Sequence, residues 1–571
     1  MNLYLSAWSI LSKNNKKNFI IIIFLFVFLS LLEIIGIALV IPFVAALFNP
    51  ESLSNFPILN NYTSFIKENK NILLPLFCIF FFSIFLFKNI FLIFTYKFIY
   101  SFNSEIRAYI STKILKKFFH QNYLYFVNNS MGKLSTTMSN ETSTFSGQFL
   151  DALMIFLSEC ILLIGIFILI ILAGQSQILI IILPILLFTV LILKSLKKKI
   201  KAWAKLRIDL AERMVIVSQR IFIGVRDIYF SRNVDKLLNY FYSLNKNQSL
   251  LDAKTQTISI IPRALLELMG LLVLLIALVY FNKIGISNEK IISTITFYFV
   301  IAYRALPSFS RILVQKQRIK YSENSVRILK KALSLKDERI LHIPYDKNFK
   351  FKKEIRFNNI SFSYLKNKEF LKNENFEVKR GKILGIYGQS GSGKSTLLNL
   401  ITFLINPDSG KIYLDDVEVS SDYEKRKFQN IITFISQDTF LIEDTLKNNI
   451  TFSSEIEFDN DKLNTAIKLA KADKFINDLP GQLDYMVGSH GRRISSGQKQ
   501  RIVIARAFYD SREIFVLDEA TNAIDEETER QIYQNIVNEK KDKTIIIVSH
   551  NKSNLLVCDD IYTVKEGKIF K

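Results

Sequence analysis

The 571-residue chain is half hydrophobic, with 49 phenylalanines, yet it carries 74 basic against 51 acidic side chains for a net charge of +23. A single soluble domain rarely combines these values, and the basic runs lack the interleaved aromatics of a base-stacking platform, which argues against a nucleic-acid partner. Cys78, Cys160 and Cys558 are too widely spaced for a disulfide framework or a zinc site.

A short basic segment leads into an apolar run over residues 19–48. No small-residue cleavage site follows it and more apolar runs come after, so it reads as a retained span, and no Cys/His pair of a peptidase domain precedes it. A bilayer crossing takes ~20 apolar residues, and six segments reach that length: 19–48, 72–99, 148–173, 177–196, 257–282 and 291–313. Basic residues gather at Lys13–Lys17, Lys113–Lys117 and Lys194–Lys205, whereas 49–71, 174–176 and 282–290 carry few. The positive-inside rule then puts both termini in the cytoplasm.

The stretches between the second and third spans and between the fourth and fifth keep a helical pattern but are polar. Such excursions need a cytoplasmic partner. Asn122–Asn129 and Phe222–Phe230 are aromatic-bearing breaks at which each excursion reverses, and they are candidates to dock on a cytoplasmic domain or simply to pack as turns.

Charges inside spans cost ~2.5–3.5 kcal/mol each and mark function by default. Glu33, Lys88, Glu159, Arg263, Glu267, Arg304 and Arg311 qualify. Arg263 and Glu267 share a helix face and can neutralise one another. Lys88, Arg263, Arg304 and Arg311 are the candidates to line a cavity for an anionic head group, with helix–helix ion pairing or snorkelling as the alternative. The loop at 49–71 holds an amphipathic stretch, Tyr62–Ile66, suited to touching lipid or to packing on itself.

From Lys353 the pattern changes to short strands, Ile355–Tyr364, Lys382–Tyr387 and Lys411–Leu414, interleaved with helices. This predicts a membrane domain over 1–325, a linker over 326–352 and an α/β P-loop domain over 353–571. Gly388, Gln389, Ser390, Gly391, Ser392, Gly393, Lys394, Ser395 and Thr396 follow an apolar strand and precede a helix. The spacing G-x-x-x-x-G-K-[ST] sets glycines where the backbone approaches phosphate oxygens, aims N–H groups and a helix N-terminus at the anion, and adds Lys394, with Ser395 for Mg²⁺.

Ile494-Ser495-Ser496-Gly497-Gln498-Lys499-Gln500-Arg501 resembles the LSGGQ signature of ATP-binding cassette (ABC) proteins, which other P-loop enzymes lack. The resemblance implies ATP and Mg²⁺ as cofactors and a role for each motif. Tyr364 stacks on adenine, and Gln437 reaches Mg²⁺ and relays nucleotide state to the membrane part. Ser495, Gly497 and Gln498 close over the γ-phosphate held by the P-loop of a second chain. Asp518 completes the Mg²⁺ shell, Glu519 polarises the attacking water, and His550 contacts the γ-phosphate. A head-to-tail homodimer with two hydrolysing sites follows, a heterodimer being the alternative. Ser496 departs from the usual glycine, with slower turnover at most expected; Ser489 replaces the usual glutamate and Asn522 the commoner serine.

Spans ahead of a cassette resemble the exporter class, a six-helix α-helical transmembrane domain of the ABC exporter fold followed by a cytoplasmic α/β nucleotide-binding domain. Within that class the loop at 49–71, Ser259–Glu267 and Tyr303–Arg311 look similar to lipid-linked oligosaccharide flippases. That likeness implies ATP-driven flipping of a polyprenyl-pyrophosphate glycan across the bacterial inner membrane, with membrane lipid and the lipid-linked glycan as partners. An exporter of lipopolysaccharide core or of drugs would share the fold. An ATP-gated channel or regulator is a more distant alternative, and the six spans argue against a soluble P-loop machine acting on DNA.

Overall fold

The computed structural model describes residues 3–39, 70–172, 178–231, 233–284, 288–339, 349, 351–364, 370–452, 458–538 and 543–571, with some side chains inside the helices, Arg263 among them, outside the description. The chain falls into two compact units: Met1–Phe118 with Phe126–Lys336, and Phe119–Tyr125 with Asp337–Lys571.

The first unit is helical. Three helices among the described residues are long and apolar enough to cross a membrane, Lys13–Ala38, Cys78–Phe119 and Met131–Leu172. They overlap the first three expected spans, and residues 40–48 of the first and the expected Tyr62–Ile66 stretch lie outside the described residues. The other expected spans overlap the helices Ile178–Ile223, Val234–Ile284 and Asn288–Tyr321. At 1.5 Å per residue the 50-residue helix Lys70–Phe119 far exceeds a ~30 Å hydrocarbon core, so the polar excursions are continuations of spans. Ile37, Leu162, Ile166, Ile170, Ile301 and Ala305 form one apolar core of this unit, and Leu210, Val217, Leu244 and Leu251 zip two of the long helices together. Two π-helical turns, Thr137–Glu141 and Phe145–Leu150, lie within the third of these helices, ahead of its apolar part Asp151–Leu172.

The segment expected as a linker from 326 begins as a helix, Glu323–Leu333. Its Val326 and Leu329 are fully buried, its Glu323 is ion-paired to Lys320 and Arg327, and Lys330 Nζ donates to Ser6 Oγ on the helix Leu3–Ile10. An amphipathic helix that buries one face belongs to a core rather than to a tether.

The second unit is built on two sheets. Strands β1 (Glu354–Phe362), β2 (Leu371–Lys379), β3 (Ile383–Tyr387), β4 (Ser409–Leu414), β5 (Val417–Glu418), β6 (Ile432–Ile435), β7 (Ile514–Asp518), β8 (Thr544–Ser549), β9 (Asp560–Lys565) and β10 (Lys568–Phe570) form an antiparallel sheet β2-β1-β4-β5 and a six-stranded sheet β10-β9-β3-β8-β7-β6. The central pairs of the larger sheet are parallel. Parallel strands are covered on both faces and read as continuous apolar runs. Accordingly Ile514 and Val516 enter one core while Phe515 and Leu517 enter the other, the period-two alternation of a strand.

The break expected near Asn122 takes a defined place in this unit. His120 O accepts from Glu338 N at 2.9 Å, Asn122 Nδ2 donates to Glu338 Oε2 at 2.7 Å, and Leu124 packs against the core shared by both sheets. At the other break, Phe222, Ile223, Tyr229 and Phe230 are exposed.

Phe357 is fully buried, stacked on Phe376 with ring centroids 4.0 Å apart. Phe357→Ala should cost ~3–5 kcal/mol and lower the first thermal unfolding transition of the full chain, while Tyr423→Ala, on an exposed surface, should leave it within a degree or so.

Candidate functional site

Parallel register carries the carboxyl ends of four strands to one edge, where ligands of such sheets bind. Tyr387 of β3 pairs with Ser549 of β8, Asp518 of β7 with Val548, and Ile435 of β6 with Leu517. The loops that follow carry Gly388, His550, Glu519 and Gln437.

The loop after β3 accepts only glycine at two positions. A Cβ on Gly393, whose φ is +116°, would stand 2.5 Å from the Phe370 ring, and one on Gly388 would stand 2.6 Å from the Val564 carbonyl oxygen. The helix Lys394–Ile401 starts at once after Gly393. Lys394 is buried, its Nζ donating to the carbonyls of Gly388 at 2.8 Å and Gln389 at 3.2 Å. Ser395 is exposed and Thr396 buried, with Thr396 Oγ1 3.2 Å from the Tyr364 hydroxyl. The Tyr364 ring meets Phe362 and Phe370 edge-on and keeps 48% of its surface open, which leaves room for a flat ring to stack.

Glu519 is the hub. It sits just past the buried β7 with a left-handed backbone, φ +46°, a conformation that costs a non-glycine residue energy and persists where surrounding structure imposes it; its N–H donates to Val548 O at 3.1 Å. Oε2 accepts from Gln437 Nε2 at 2.9 Å and from Asn522 Nδ2 at 3.0 Å. Oε1 lies 3.4 Å from His550 Nδ1 and 3.6 Å from Lys394 Nζ. Beside it, burial pushes the Asp518 carboxyl up to about 6, Glu519 adding to the shift and Lys394 opposing it.

The signature segment is a capped helix start. Ser495 Oγ accepts from Gln498 N at 3.2 Å while Gln498 Oε1 accepts from Ser495 N at 2.9 Å, a reciprocal capping box. Gly497 is the position that tolerates no side chain, since a Cβ there would meet Ala523 O at 2.7 Å. Ser496 is exposed on the first turn, so within the chain its extra atoms meet no obstacle. Ser489 opens a short turn, Ser489–Gly491. Gln500 Oε1 accepts from Ala523 N at 2.9 Å, tying the signature helix to the residues after Glu519.

The membrane candidates lie within salt-bridge distance of carboxylates. Lys88 Nζ is 3.4 Å from Glu33 Oε1 and Arg304 Nη2 is 2.5 Å from Glu33 Oε2, while Arg311 Nε is 3.0 Å from Glu159 Oε1. Glu33 meets two cations, so that triad retains one positive charge. The side chain of Arg263 lies outside the described residues.

Residues 371–522 match the family described as ABC transporter, and residues 18–220 match ABC transporter transmembrane region. The chain belongs to the ABC transporters. It is a half-transporter, one membrane region and one cassette, and its exporter fold matches the solved "Structure of a bacterial Atm1-family ABC exporter with ATP bound" at a TM-score of 0.77 and 17% identity, over 98% of this chain and 94% of that one. The "ATP-dependent lipid A-core flippase" of Vibrio parahaemolyticus is 37% identical over 38% of each chain, so this chain spans well under half of that relative. "ATP-dependent lipid A-core flippase 2" of Colwellia psychrerythraea is 28% identical over 81% of this chain and 80% of its own. The lipid A-core flippase of Pectobacterium atrosepticum is 28% identical over 78% and 76%.

In this ABC half-transporter the fold therefore gathers Lys394, Gln437, Asp518, Glu519 and His550 at one edge and sets Tyr364 beside Thr396. Ser495 and Gln498 bond to each other, apart from that cluster. Sequence reasoning missed Asn522 as a direct partner of Glu519, because only a turn of the backbone brings its amide back onto the carboxylate. It also missed Glu529, whose Oε1 accepts from Thr521 Oγ1 at 2.5 Å and Asn554 Nδ2 at 2.9 Å, linking the loops after Glu519 and His550; no motif marks it. The glycine cradle and the Ser395, Gln437 and Asp518 oxygens suit a nucleotide phosphate and a hard divalent cation.

Burial holds the Asp518 carboxyl at about 6, above its usual 3.8, so folding favours its protonated form and its contribution to stability is lost as pH rises through the window from 3.8 to about 6. A cation needs the ionised form. Half-saturating Mg²⁺ for the ATP-loaded chain should stay flat from pH 8 to 7 and climb below pH 6 towards ~tenfold per unit, read by calorimetry; Asp518→Asn should bind weakly throughout and lose that climb.

Proposed function

We propose that two copies of this chain form an ATP-driven flippase for an anionic glycolipid of the lipid A-core class, in a bacterial inner membrane crossed six times by each copy with both termini cytoplasmic. The Glu519 hub carries the ATPase reading: a carboxylate past a buried strand, held by two amides, with a lysine and a histidine on its other oxygen. Gln437 and Asn522 fix Oε2, leaving Oε1 to orient and deprotonate the attacking water. Lys394 exchanges the Gly388 and Gln389 carbonyls for phosphate oxygens, and His550 steadies the γ-phosphate as charge develops. Held by Ser395, Gln437 and Asp518, Mg²⁺ would neutralise phosphate charge.

Tyr364 takes the adenine ring on its open surface. The second copy supplies Ser495, Gly497 and Gln498. Ser495 Oγ already accepts from Gln498 N, so its O–H is free to donate to the γ-phosphate, and a helix N-terminus points with it. The cassette spans 353–571, and the membrane domain runs on through the helix Glu323–Leu333.

Relatives matched over about four-fifths of the chain carry the lipid A-core name, which moves that lipid ahead of the polyprenyl-pyrophosphate glycan expected from sequence. Both present phosphates and sugars. The net positive Glu33–Lys88–Arg304 triad favours an anionic head group, with Arg263 and Arg311 on the same count of candidates.

In proteoliposomes the wild type should move lipid A-core from one leaflet to the other with ATP, more than polyprenyl-pyrophosphate glycan and more than a cationic drug. Glu519→Gln should lower hydrolysis by ~10²–10⁴-fold while still binding ATP. Lipid movement no faster in wild type than in Glu519→Gln for every cargo would sink the flippase reading.

A further inference from the structure

A cavity of about 460 Å³ is lined by residues of the membrane unit alone. It falls in the size range of small-molecule sites, ~300–1,000 Å³. Gln148 comes from the π-helical turn Phe145–Leu150, Trp203 from the helix Ile178–Ile223, Asp252 from Val234–Ile284, and Gln317, Arg318 and Tyr321 from the end of Asn288–Tyr321. Each of these residues sits at or just beyond the cytoplasmic end of a span read from the sequence, at the level of lipid head groups, where Trp and Tyr are at home.

Among the described residues, two hydrogen-bonding groups of the lining have no partner. Gln317 is only 8% exposed, and its Nε2 has no partner among the described residues. The Tyr321 hydroxyl is likewise buried without a partner. Burial pushes that hydroxyl up to about 12, so it stays a donor. Unpartnered buried donors are costly and rare in native proteins, and here two of them line one cavity. Arg318 is engaged only at long range, by Asp151 Oδ2 at 3.4 Å, Gly147 O at 3.4 Å and Gln315 Oε1 at 3.3 Å.

The chemistry is selective. The lining carries one carboxylate, Asp252, and one cation, Arg318, which already faces Asp151, and its other polar groups are uncharged. Donors and acceptors line the same cavity as the indole of Trp203. A ring with an apolar C–H face and a rim of hydroxyls satisfies that set, because each hydroxyl both donates and accepts. We infer that this cavity is a carbohydrate site, in which a sugar ring lies against Trp203 and bonds to Gln317, Tyr321 and Asp252. The sugar is either the head group of a membrane glycolipid or a free saccharide.

The chain has two tryptophans, so Trp8→Phe leaves Trp203 as the sole indole reporter. The full-length chain in nanodiscs, without nucleotide, should show a saturable change in Trp203 emission when titrated with lipopolysaccharide or with free glucosamine, and none with phosphatidylglycerol. A response to lipopolysaccharide alone assigns the head group as the source, and a response to glucosamine assigns free sugar. Adding Gln317→Leu, or the milder Tyr321→Phe that removes one O–H, should weaken the response ~tenfold. No change with either sugar probe, an equal change with phosphatidylglycerol, or unaltered affinity in both variants would overturn the assignment. Because ATP is absent, such a result leaves the Glu519 chemistry standing, and a failed flipping assay leaves the sugar site standing.

Discussion

Everything at the nucleotide edge depends on the parallel register of β3, β8, β7 and β6. Those strands align Tyr387, Ser549, Asp518 and Ile435 at one border, so loops separated by as many as 162 residues, Gly388 and His550 at the extremes, meet at a single carboxylate. Parallel pairing needs a crossover between each pair of strands. Each crossover here brings a functional segment: the phosphate loop and its helix, the signature helix, and the helix Glu526–Asn538 that carries Glu529. The apolar cores on both faces of the sheet keep that register from slipping, because a one-residue shift would turn Phe515 and Leu517 out of one core and Ile514 and Val516 out of the other.

The same electrostatic logic governs the two units. In the cassette, Glu519 gathers two amides, a lysine and a histidine, while burial and that neighbour leave Asp518 reluctant to ionise. In the membrane unit, Glu33 and Glu159 hold Lys88, Arg304 and Arg311. Charges in an apolar medium survive by pairing, and the pairing is uneven at Glu33, which leaves one positive charge to be met from outside the triad. The cavity near Trp203 differs, since Gln317 and Tyr321 line it with uncharged donors beside the charged Asp252 and Arg318.

Much of the cassette was legible. The strands expected at Ile355–Tyr364, Lys382–Tyr387 and Lys411–Leu414 appear as Glu354–Phe362, Ile383–Tyr387 and Ser409–Leu414, since short apolar runs between turn residues have few other solutions. The helical character of the excursions was legible for the same reason. The carboxylate partners of the intramembrane cations were not: Glu33 and Lys88 are separated by 55 residues and Glu33 and Arg304 by far more, and no periodicity predicts which face of one helix meets another. The reach of the last membrane-unit helix to Leu333 was also hidden, because its burial against Leu3–Ile10 joins the two ends of that unit.

By itself the sequence determined the chemistry available: a glycine-lined phosphate loop, a signature helix, an acidic pair after a buried strand, and apolar segments of membrane length. Those are local properties, set by residue type and spacing along one element. Only the tertiary structure decided that Asn522 and Gln437 share one oxygen of Glu519, that Gly497 and not the neighbouring Ser496 is where a side chain is forbidden, and that Gln317 and Tyr321 face a cavity with their donors unspent. These depend on contacts between residues distant in the chain, which arise when cores pack to fixed register and leave each polar group either answered or open.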